Sequence, residues 1–184
     1  IYSGESGGLN EATSDIFGSM VEFYANNAAD PGDYLIGEEV IVGNPGNEAF
    51  RYMFKPSLNG SAADCWYPGV GSLGVHSSSG VANRFFYLLA EGAVVPAGFG
   101  AGTADNLAPA DLVCDGNTSH AGIGRVKAGQ IWYRALTVYM VADTDYAGAR
   151  AATEQAAGDL FGAGSAEQLA VSAAWDSVSV PGVL

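Results

Sequence analysis

Basic residues are scarce in this chain. Of its 184 residues only 7 are Lys or Arg, against 20 Asp or Glu, and the formal net charge at pH 7 is −13. Such a charge repels phosphate backbones and anionic lipid headgroups, so we expect neither nucleic acid nor a membrane surface as a partner. An acidic chain is instead suited to binding cations.

Long apolar runs are also missing. No stretch of about 18 apolar residues occurs, so the sequence predicts no transmembrane helix. The chain starts at Ile1 without an initiator Met or the features of a signal peptide, and we expect it to be a piece of a longer protein. With 48% hydrophobic and 15% charged residues, the 184 residues are expected to form a single domain, 1–184, with its own core.

Cysteine and histidine are limited to two residues each. Cys65 and Cys114 allow one bridge, which would stabilise the fold by about 4 kcal/mol on the chain-entropy model. No Cys-x-x-Cys motif is present and neither cysteine has a histidine beside it, so a structural disulfide is favoured over a metal or redox site. A structural disulfide indicates an oxidising compartment, and we expect a secreted, extracellular protein.

The apolar pattern predicts a mainly α-helical fold with five helices. The first would be capped by Ser6 and end near residues 26–27. Residues 28–75 are rich in Gly, Pro and Asn, which predicts a long irregular region with at most short strands, over 39–42 and 50–54. The other helices are predicted over 80–90, 122–141 and 146–161, and after a capping box formed by Ser165 and Gln168.

Three acids of the first helix share one face. Glu11, Asp15 and Glu22 are separated by four and seven residues, so at about 100° per residue they fall within roughly 40° of one another. Carboxylates on an otherwise apolar helix resist burial unless cations compensate them. The spacing alone leaves open a metal site and a solvated acidic stripe.

The residues of this helix point to a family. Ser-Gly-Gly-Leu-Asn-Glu-Ala-Thr-Ser-Asp, at 6–15, resembles the helix that supplies the third zinc ligand in thermolysin-like metallopeptidases. Further matching motifs follow in the same order: Gly-Val-His-Ser-Ser-Ser-Gly-Val-Ala-Asn-Arg at 74–84, Gly-Ile-Gly-Arg at 122–125, Ile-Trp-Tyr-Arg-Ala-Leu at 131–136 and Tyr-Ala-Gly-Ala-Arg-Ala-Ala at 146–152. The chain resembles the C-terminal helical domain of such an enzyme, most like secreted actinobacterial forms that carry an extra cysteine pair.

The resemblance implies a role for each matched side chain near the zinc. Glu11 matches the third zinc ligand, and Asp15 matches the carboxylate that accepts a hydrogen bond from a zinc-bound imidazole. His76 matches the histidine that stabilises the tetrahedral oxyanion, and Tyr2 matches the tyrosine that assists it. Arg51 matches the arginine that grips the substrate carbonyl. It borders a hydrophobic specificity pocket that we expect to be lined by Ile36, Val40 and Phe50.

Two further features follow from the resemblance. Glu22, Asp33 and Glu38 match a calcium site beside the zinc, and all-oxygen ligands suit that ion. Relatives place an Asp shortly before the histidine that His76 matches, to orient its ring. Here residues 66–75 contain no acid, and Gly74 stands where the Asp is expected. The sequence leaves open what orients His76.

The family's His-Glu-x-x-His motif, which supplies two zinc ligands and the general base, is absent from this chain. Only His76 and His120 are present, and His120 matches no functional position. The leading hypothesis is therefore the C-terminal half of a secreted zinc metalloendopeptidase that cuts before hydrophobic residues. Its partners would be a peptide substrate and the missing N-terminal half, and alone it should be inactive. The alternative is a stand-alone, non-catalytic helical module that binds calcium, a peptide or another partner.

Overall fold

Helices dominate the computed structural model of this chain, which describes residues 1–41, 43 and 48–182. Within that part five helices have eleven or more residues, which confirms the predicted mainly α-helical fold. No helix of these ranges is both long and apolar enough to cross a bilayer. In chain order the elements are α1 Gly4–Ala25, β1 Leu35–Ile36, β2 Arg51–Tyr52, α2 Val75–Ser78, α3 Gly80–Glu91, α4 Arg125–Val138, α5 Tyr146–Phe161 and α6 Ala166–Asp176.

The core is built around α3. Every residue of this helix from Gly80 to Ala90 is buried, because α1, α4 and α6 all pack against it. Phe85 stacks on Trp175 of α6 with ring centroids 3.7 Å apart, and Trp132 of α4 packs on the same ring. The apolar stripe that the spacing of Val81, Phe85, Leu88 and Leu89 predicts for this helix is thus only part of an all-round buried surface.

Helix ends follow the prediction where the signal is local. α5 has the predicted bounds. α6 starts after Ser165, whose hydroxyl accepts a hydrogen bond from the Gln168 N–H. The Gln168 side chain in turn accepts from the Gly164 N–H, one residue before the position that a standard capping box uses.

Other helix ends differ from the prediction, among them the end of α4, which stops at Val138 instead of 141. α1 begins at Gly4, and Ser6 lies inside its first turn with its hydroxyl donating to the Ser3 carbonyl. α4 begins at Arg125 instead of 122, because the Ile123 and Gly124 N–H groups donate to the Leu89 and Ala90 carbonyls at the end of α3. Those carbonyls have no partner within their own helix, so the loop satisfies them.

The strands are shorter than predicted. The run over 50–54 contains only β2, which pairs antiparallel with β1, Leu35 opposite Tyr52 and Ile36 opposite Arg51. The prediction of a strand over 39–42 is wrong for the residues that can be described, since Glu38–Val40 forms a 3₁₀ turn. Val42 lies outside the described residues.

The predicted disulfide between Cys65 and Cys114 is present. A buried guanidinium lies beside it: Arg84 of α3 donates to the carbonyls of Leu112, Asp111 and Asp64. One Nη atom of Arg84 also lies 3.4 Å from Cys114 Sγ. The bridge and Arg84 together fasten two loops to the central helix.

His120, predicted to be an ordinary loop histidine, is a packed ring at the end of α3. It is 9% exposed, and its Nε2 lies 3.0 Å from the Leu88 carbonyl oxygen. Burial lowers the pKa of the His120 imidazole, against weaker opposing effects of the Leu88 carbonyl and Asp115. The neutral ring is therefore the form that the folded chain prefers.

Acidification should therefore lower the stability of the folded chain. A histidine whose pKa is lower in the folded than in the unfolded chain contributes stability that is complete above about pH 6.5 and is lost as the pH falls through the folded-state pKa. We expect the melting temperature of the parent to fall more steeply than that of His120→Phe between about pH 7 and pH 5. Parallel melting curves, recorded by circular dichroism across this range, would contradict the assignment.

Candidate active site

The predicted zinc ligand lies where α1 meets α2. The Glu11 carboxylate accepts a hydrogen bond from the Tyr2 hydroxyl, and its other oxygen lies 2.7 Å from Nδ1 of His76. The Glu11 side chain is 16% exposed, whereas that of His76 is 65% exposed and open to solvent. The structure thus brings three of the predicted site residues into one cluster.

Two glycines allow this meeting. A Cβ atom at Gly7 would lie 2.5 Å from Val75 Cγ1, and one at Gly8 would lie 2.6 Å from Ser78 Oγ. Both distances are too short for a larger residue, so the glycines let α1 and α2 approach each other closely. The close approach places Glu11, one turn further along α1, beside His76.

The contacts of Glu11 favour its charged form. Partial burial opposes ionisation, but the hydrogen bond from Tyr2 and the neighbouring His76 outweigh it, so the pKa of the Glu11 carboxyl lies below its usual value. Glu11 also lies against the ring of His76, and residues 66–75, which precede that ring, contain no acid. In the described structure, therefore, Glu11 is the group that contacts Nδ1 of His76.

Asp15, one turn further along α1, is 4% exposed and binds Arg51 of β2 through two bonds. Arg51 Nη2 donates to Oδ1 over 2.6 Å and Nε donates to Oδ2 over 2.8 Å. Asn83 of α3 donates to the same Oδ2 over 2.8 Å. The hydrogen bonds with Asp15 raise the pKa of the Arg51 guanidinium, which therefore stays fully charged.

Of the three predicted pocket residues, Ile36 lies in β1 and Phe50 directly precedes β2, whereas Val40 ends the 3₁₀ turn that follows β1. The Phe50 N–H donates to the Ile36 carbonyl, and Ile36 is partly buried. Val40 and Phe50 are 67% and 57% exposed, so they stand at the surface of the described chain. Ile36 also lines a cleft of about 270 Å³ that reaches the acids of the predicted calcium site.

Three carboxylates form a compact cluster at the far end of α1. Oxygen atoms of Glu22, Asp30 and Glu38 all lie within 4.8 Å of one another. Asp33, which the sequence prediction included, lies next to them: its N–H donates to Glu22, and its own carboxylate accepts from the Leu35 N–H. The compact group of carboxylates therefore contains Asp30 where the prediction had Asp33.

This cluster is electrostatically unfavourable without a cation. Burial, followed by the neighbouring charges of Asp33, Glu22 and Asp30, raises the pKa of Glu38 to about 7. The pKa of Glu22 is also raised, and burial is the largest cause. Hard oxygen ligands at this spacing fit calcium.

Comparisons with known proteins agree with this geometry. Residues 1–180 match the family model described as "Thermolysin metallopeptidase, alpha-helical domain". The chain belongs to this family. It is a metallopeptidase family, and the predicted resemblance is confirmed.

Relatives of this metallopeptidase domain are much longer than the chain. The "Transglutaminase-activating metalloprotease" of Streptomyces mobaraensis is 49% identical over 97% of the chain and 22% of that protein. The "Bacillolysin" of Bacillus cereus is 39% identical over 98% of the chain and 28% of that protein. The chain thus spans about a quarter of the length of these relatives.

A solved structure shows the same fold. The precursor of protealysin, a metalloproteinase from Serratia proteamaculans, matches with a TM-score of 0.65 and 29% identity over 98% of this chain and 52% of that one.

A thermolysin-type helical domain by itself offers only part of a zinc site. Glu11 and His76 adjoin each other where α1 meets α2, whereas His120 is buried against Leu88 of α3. In the ranges that can be described, the group of three potential metal ligands is the Glu22 cluster and does not include Glu11. The residues present therefore fit one contribution to a zinc site and most of a calcium site.

The sequence did not reveal two residues that lie against predicted site residues. Asp30 follows Glu22 by eight residues in an irregular loop, whose path no local pattern reveals. Asn83 lies within the matched 74–84 motif, but its position on α3 gave no sign that it would reach Asp15. The available signal was a polar residue within an otherwise apolar helical stretch, which indicates a hydrogen bond without naming its partner.

Proposed function

We propose that this chain is the C-terminal half of a secreted zinc metalloendopeptidase that hydrolyses peptide bonds before hydrophobic residues. The observation that carries the proposal is the contact of Tyr2 and His76 with the Glu11 carboxylate. An ionised carboxylate beside two hydrogen-bond donors is what a half-site for metal-assisted hydrolysis requires. The partners are a peptide substrate and an N-terminal half that carries His-Glu-x-x-His.

Each side chain of the cluster has a distinct task in this proposal. Glu11 holds zinc together with two histidines of the other half, and zinc, when bound, activates water at neutral pH and polarises the peptide carbonyl. The exposed ring of His76 and the hydroxyl of Tyr2 donate hydrogen bonds to the developing oxyanion. Asp15 accepts a hydrogen bond from an imidazole of the other half and so fixes its orientation.

Arg51 binds the substrate. Nε and Nη2 are held by Asp15, while Nη1 has no hydrogen-bond partner among the described residues and can donate to a peptide carbonyl. Phe50 directly precedes this guanidinium's strand and bonds to Ile36, and these two residues, with the exposed Val40, accept a hydrophobic side chain that follows the cut. The disulfide supports a secreted protein, since such bridges persist in oxidising compartments.

The proposal is tested by joining an N-terminal half that carries His-Glu-x-x-His ahead of this chain. The chain alone should hold no stoichiometric zinc and should not hydrolyse casein, because Glu11 is one ligand where a catalytic zinc needs three. The joined protein should bind one zinc and hydrolyse casein in a chelator-sensitive way. Zinc content and casein hydrolysis are measured on both forms.

Two results would contradict the proposal. Robust, chelator-sensitive hydrolysis by the purified chain alone would require a complete metal site that the described residues do not contain. A joined protein that folds but neither binds zinc nor cuts casein would favour the alternative, a non-catalytic calcium-binding helical module.

Calcium binding is proposed for both alternatives, on the strength of the Glu22, Asp30 and Glu38 cluster. Removal of calcium should leave the carboxylates to repel one another. If the free calcium concentration was about 100 times the Kd, the melting temperature should fall by about 5–10 °C. The shift should be larger at low ionic strength, where the repulsion is less screened. Melting curves with and without chelator measure it.

Two aspartate variants locate the calcium. Asp30→Asn should reduce the chelator-dependent shift, whereas Asp105→Asn, which removes an exposed acid from a distant loop, should leave it unchanged. An equal shift in Asp30→Asn and the parent would mean that Asp30 is not a ligand.

A further inference from the structure

One buried amide touches the acid that the proposed function places behind the zinc. Asn83 is 1% exposed, and its Nδ2 donates to Oδ2 of Asp15 over 2.8 Å. Its own Oδ1 is buried and has no hydrogen-bond partner among the described residues. Burying an amide with an unpaired oxygen costs about 1–3 kcal/mol, which an apolar residue at this place would avoid.

The two oxygens of the Asp15 carboxylate accept different numbers of hydrogen bonds. Oδ2 accepts two hydrogen bonds, one from Arg51 Nε and one from Asn83, whereas Oδ1 accepts one, from Arg51 Nη2. A carboxylate oxygen can accept about two hydrogen bonds. Oδ1 can therefore accept one more hydrogen bond, whereas Oδ2 already accepts two.

We propose that Asn83 is a positioning residue, which fills Oδ2 of Asp15 so that Oδ1 is left for the zinc-binding imidazole of the other half. The inference rests on the proposed function and adds a residue to it. Asn83 touches neither substrate nor metal in this assignment. It acts through Asp15, because a carboxylate held from two sides by Arg51 and Asn83 cannot rotate away from the imidazole.

The first test replaces Asn83 with leucine in the joined protein. Outer partners of metal ligands typically contribute 10–100-fold to metal affinity or activity, and we expect Asn83→Leu to lower zinc affinity and kcat by about 10-fold with a smaller change in KM. Zinc affinity is measured by competition with a chelator, at a temperature where the variant is fully folded.

Thr153→Val is the matched control. Thr153 of α5 is also fully buried, and its hydroxyl accepts a hydrogen bond from Trp175 Nε1 over 2.8 Å. The control therefore loses a buried hydrogen bond away from Asp15. It should lower the melting temperature while leaving zinc affinity and kcat within about two-fold of the parent. If Asn83→Leu behaves in the same way as this control, Asn83 is merely structural and the inference is wrong.

Asn83→Asp covers the case in which the leucine variant does not fold. In this variant the new carboxyl group would lie as close to Asp15 as the Asn83 amide does now. The two carboxyl groups would share one proton, and the shared O–H would restore the hydrogen bond. As rising pH removes this proton, the carboxylates repel each other. The zinc affinity of Asn83→Asp relative to the parent should therefore fall with rising pH, and a constant ratio would overturn the inference.

Failure of the inference differs from failure of the proposed function. If the proposed function is wrong, the joined parent itself binds no zinc. If only the inference is wrong, the joined parent binds zinc and cuts casein, and the Asn83 variants match it in zinc affinity and in pH dependence.

Discussion

Glu11→Ala is expected to lower the peptidase activity of the joined protein by more than about 100-fold. Loss of a group that only orients a ligand typically costs 10–100-fold, and Glu11 is proposed as a ligand itself. The remaining two ligands would hold zinc poorly, and Tyr2 and His76 would lose the carboxylate that they now contact. Zinc content and casein hydrolysis should fall together.

The same substitution should barely affect the fold. Glu11 lies in the middle of α1, where alanine is at least as favourable as glutamate for the helix. Glu167→Ala is the matched control, because the Glu167 side chain is 19% exposed, close to the 16% of Glu11, and pairs with Lys127. That variant should keep full activity. A Glu11→Ala protein that still binds zinc and cuts casein would remove Glu11 from the site.

The sequence predicted those helices whose signals are local. α5 and the start of α6 depend on nearby residues, such as the Ser165 hydroxyl that accepts from Gln168 N–H. α4 was predicted too long, because whether Ile123 and Gly124 continue a helix depends on the end of α3, more than thirty residues earlier. Periodicity along one segment contains no information about that contact.

Apolar spacing also overstated burial. Apolar spacing along the first helix and along residues 122–141 predicts inward positions for Tyr24 and Val126, yet they are 91% and 65% exposed. Both lie near a helix end, where the described chain provides no element to cover them. The spacing itself is the same for a covered and for an exposed apolar position.

The site was predictable to the extent that motifs name residues. The family motifs named Tyr2, Glu11 and His76, and the structure adds that they touch. No motif names Asp30 or Asn83. Asp30 reaches its neighbours through the path of the loop after α1, and Asn83 reaches Asp15 because α3 packs against α1.

Removing the disulfide should have the largest effect on stability. Cys65 and Cys114 are 49 residues apart, and opening a loop of that length should lower the free energy of unfolding by about 4 kcal/mol in Cys65→Ser/Cys114→Ser. The loss arises mainly in the unfolded chain, because Arg84 still donates to the Leu112 and Asp111 carbonyls in the folded state. Urea unfolding should therefore show a lower midpoint and a steeper slope, as the unlinked chain exposes more surface. The parent treated with reductant should match the variant, and two alkylatable thiols in the untreated parent would contradict both the bridge and the oxidising compartment that it indicates.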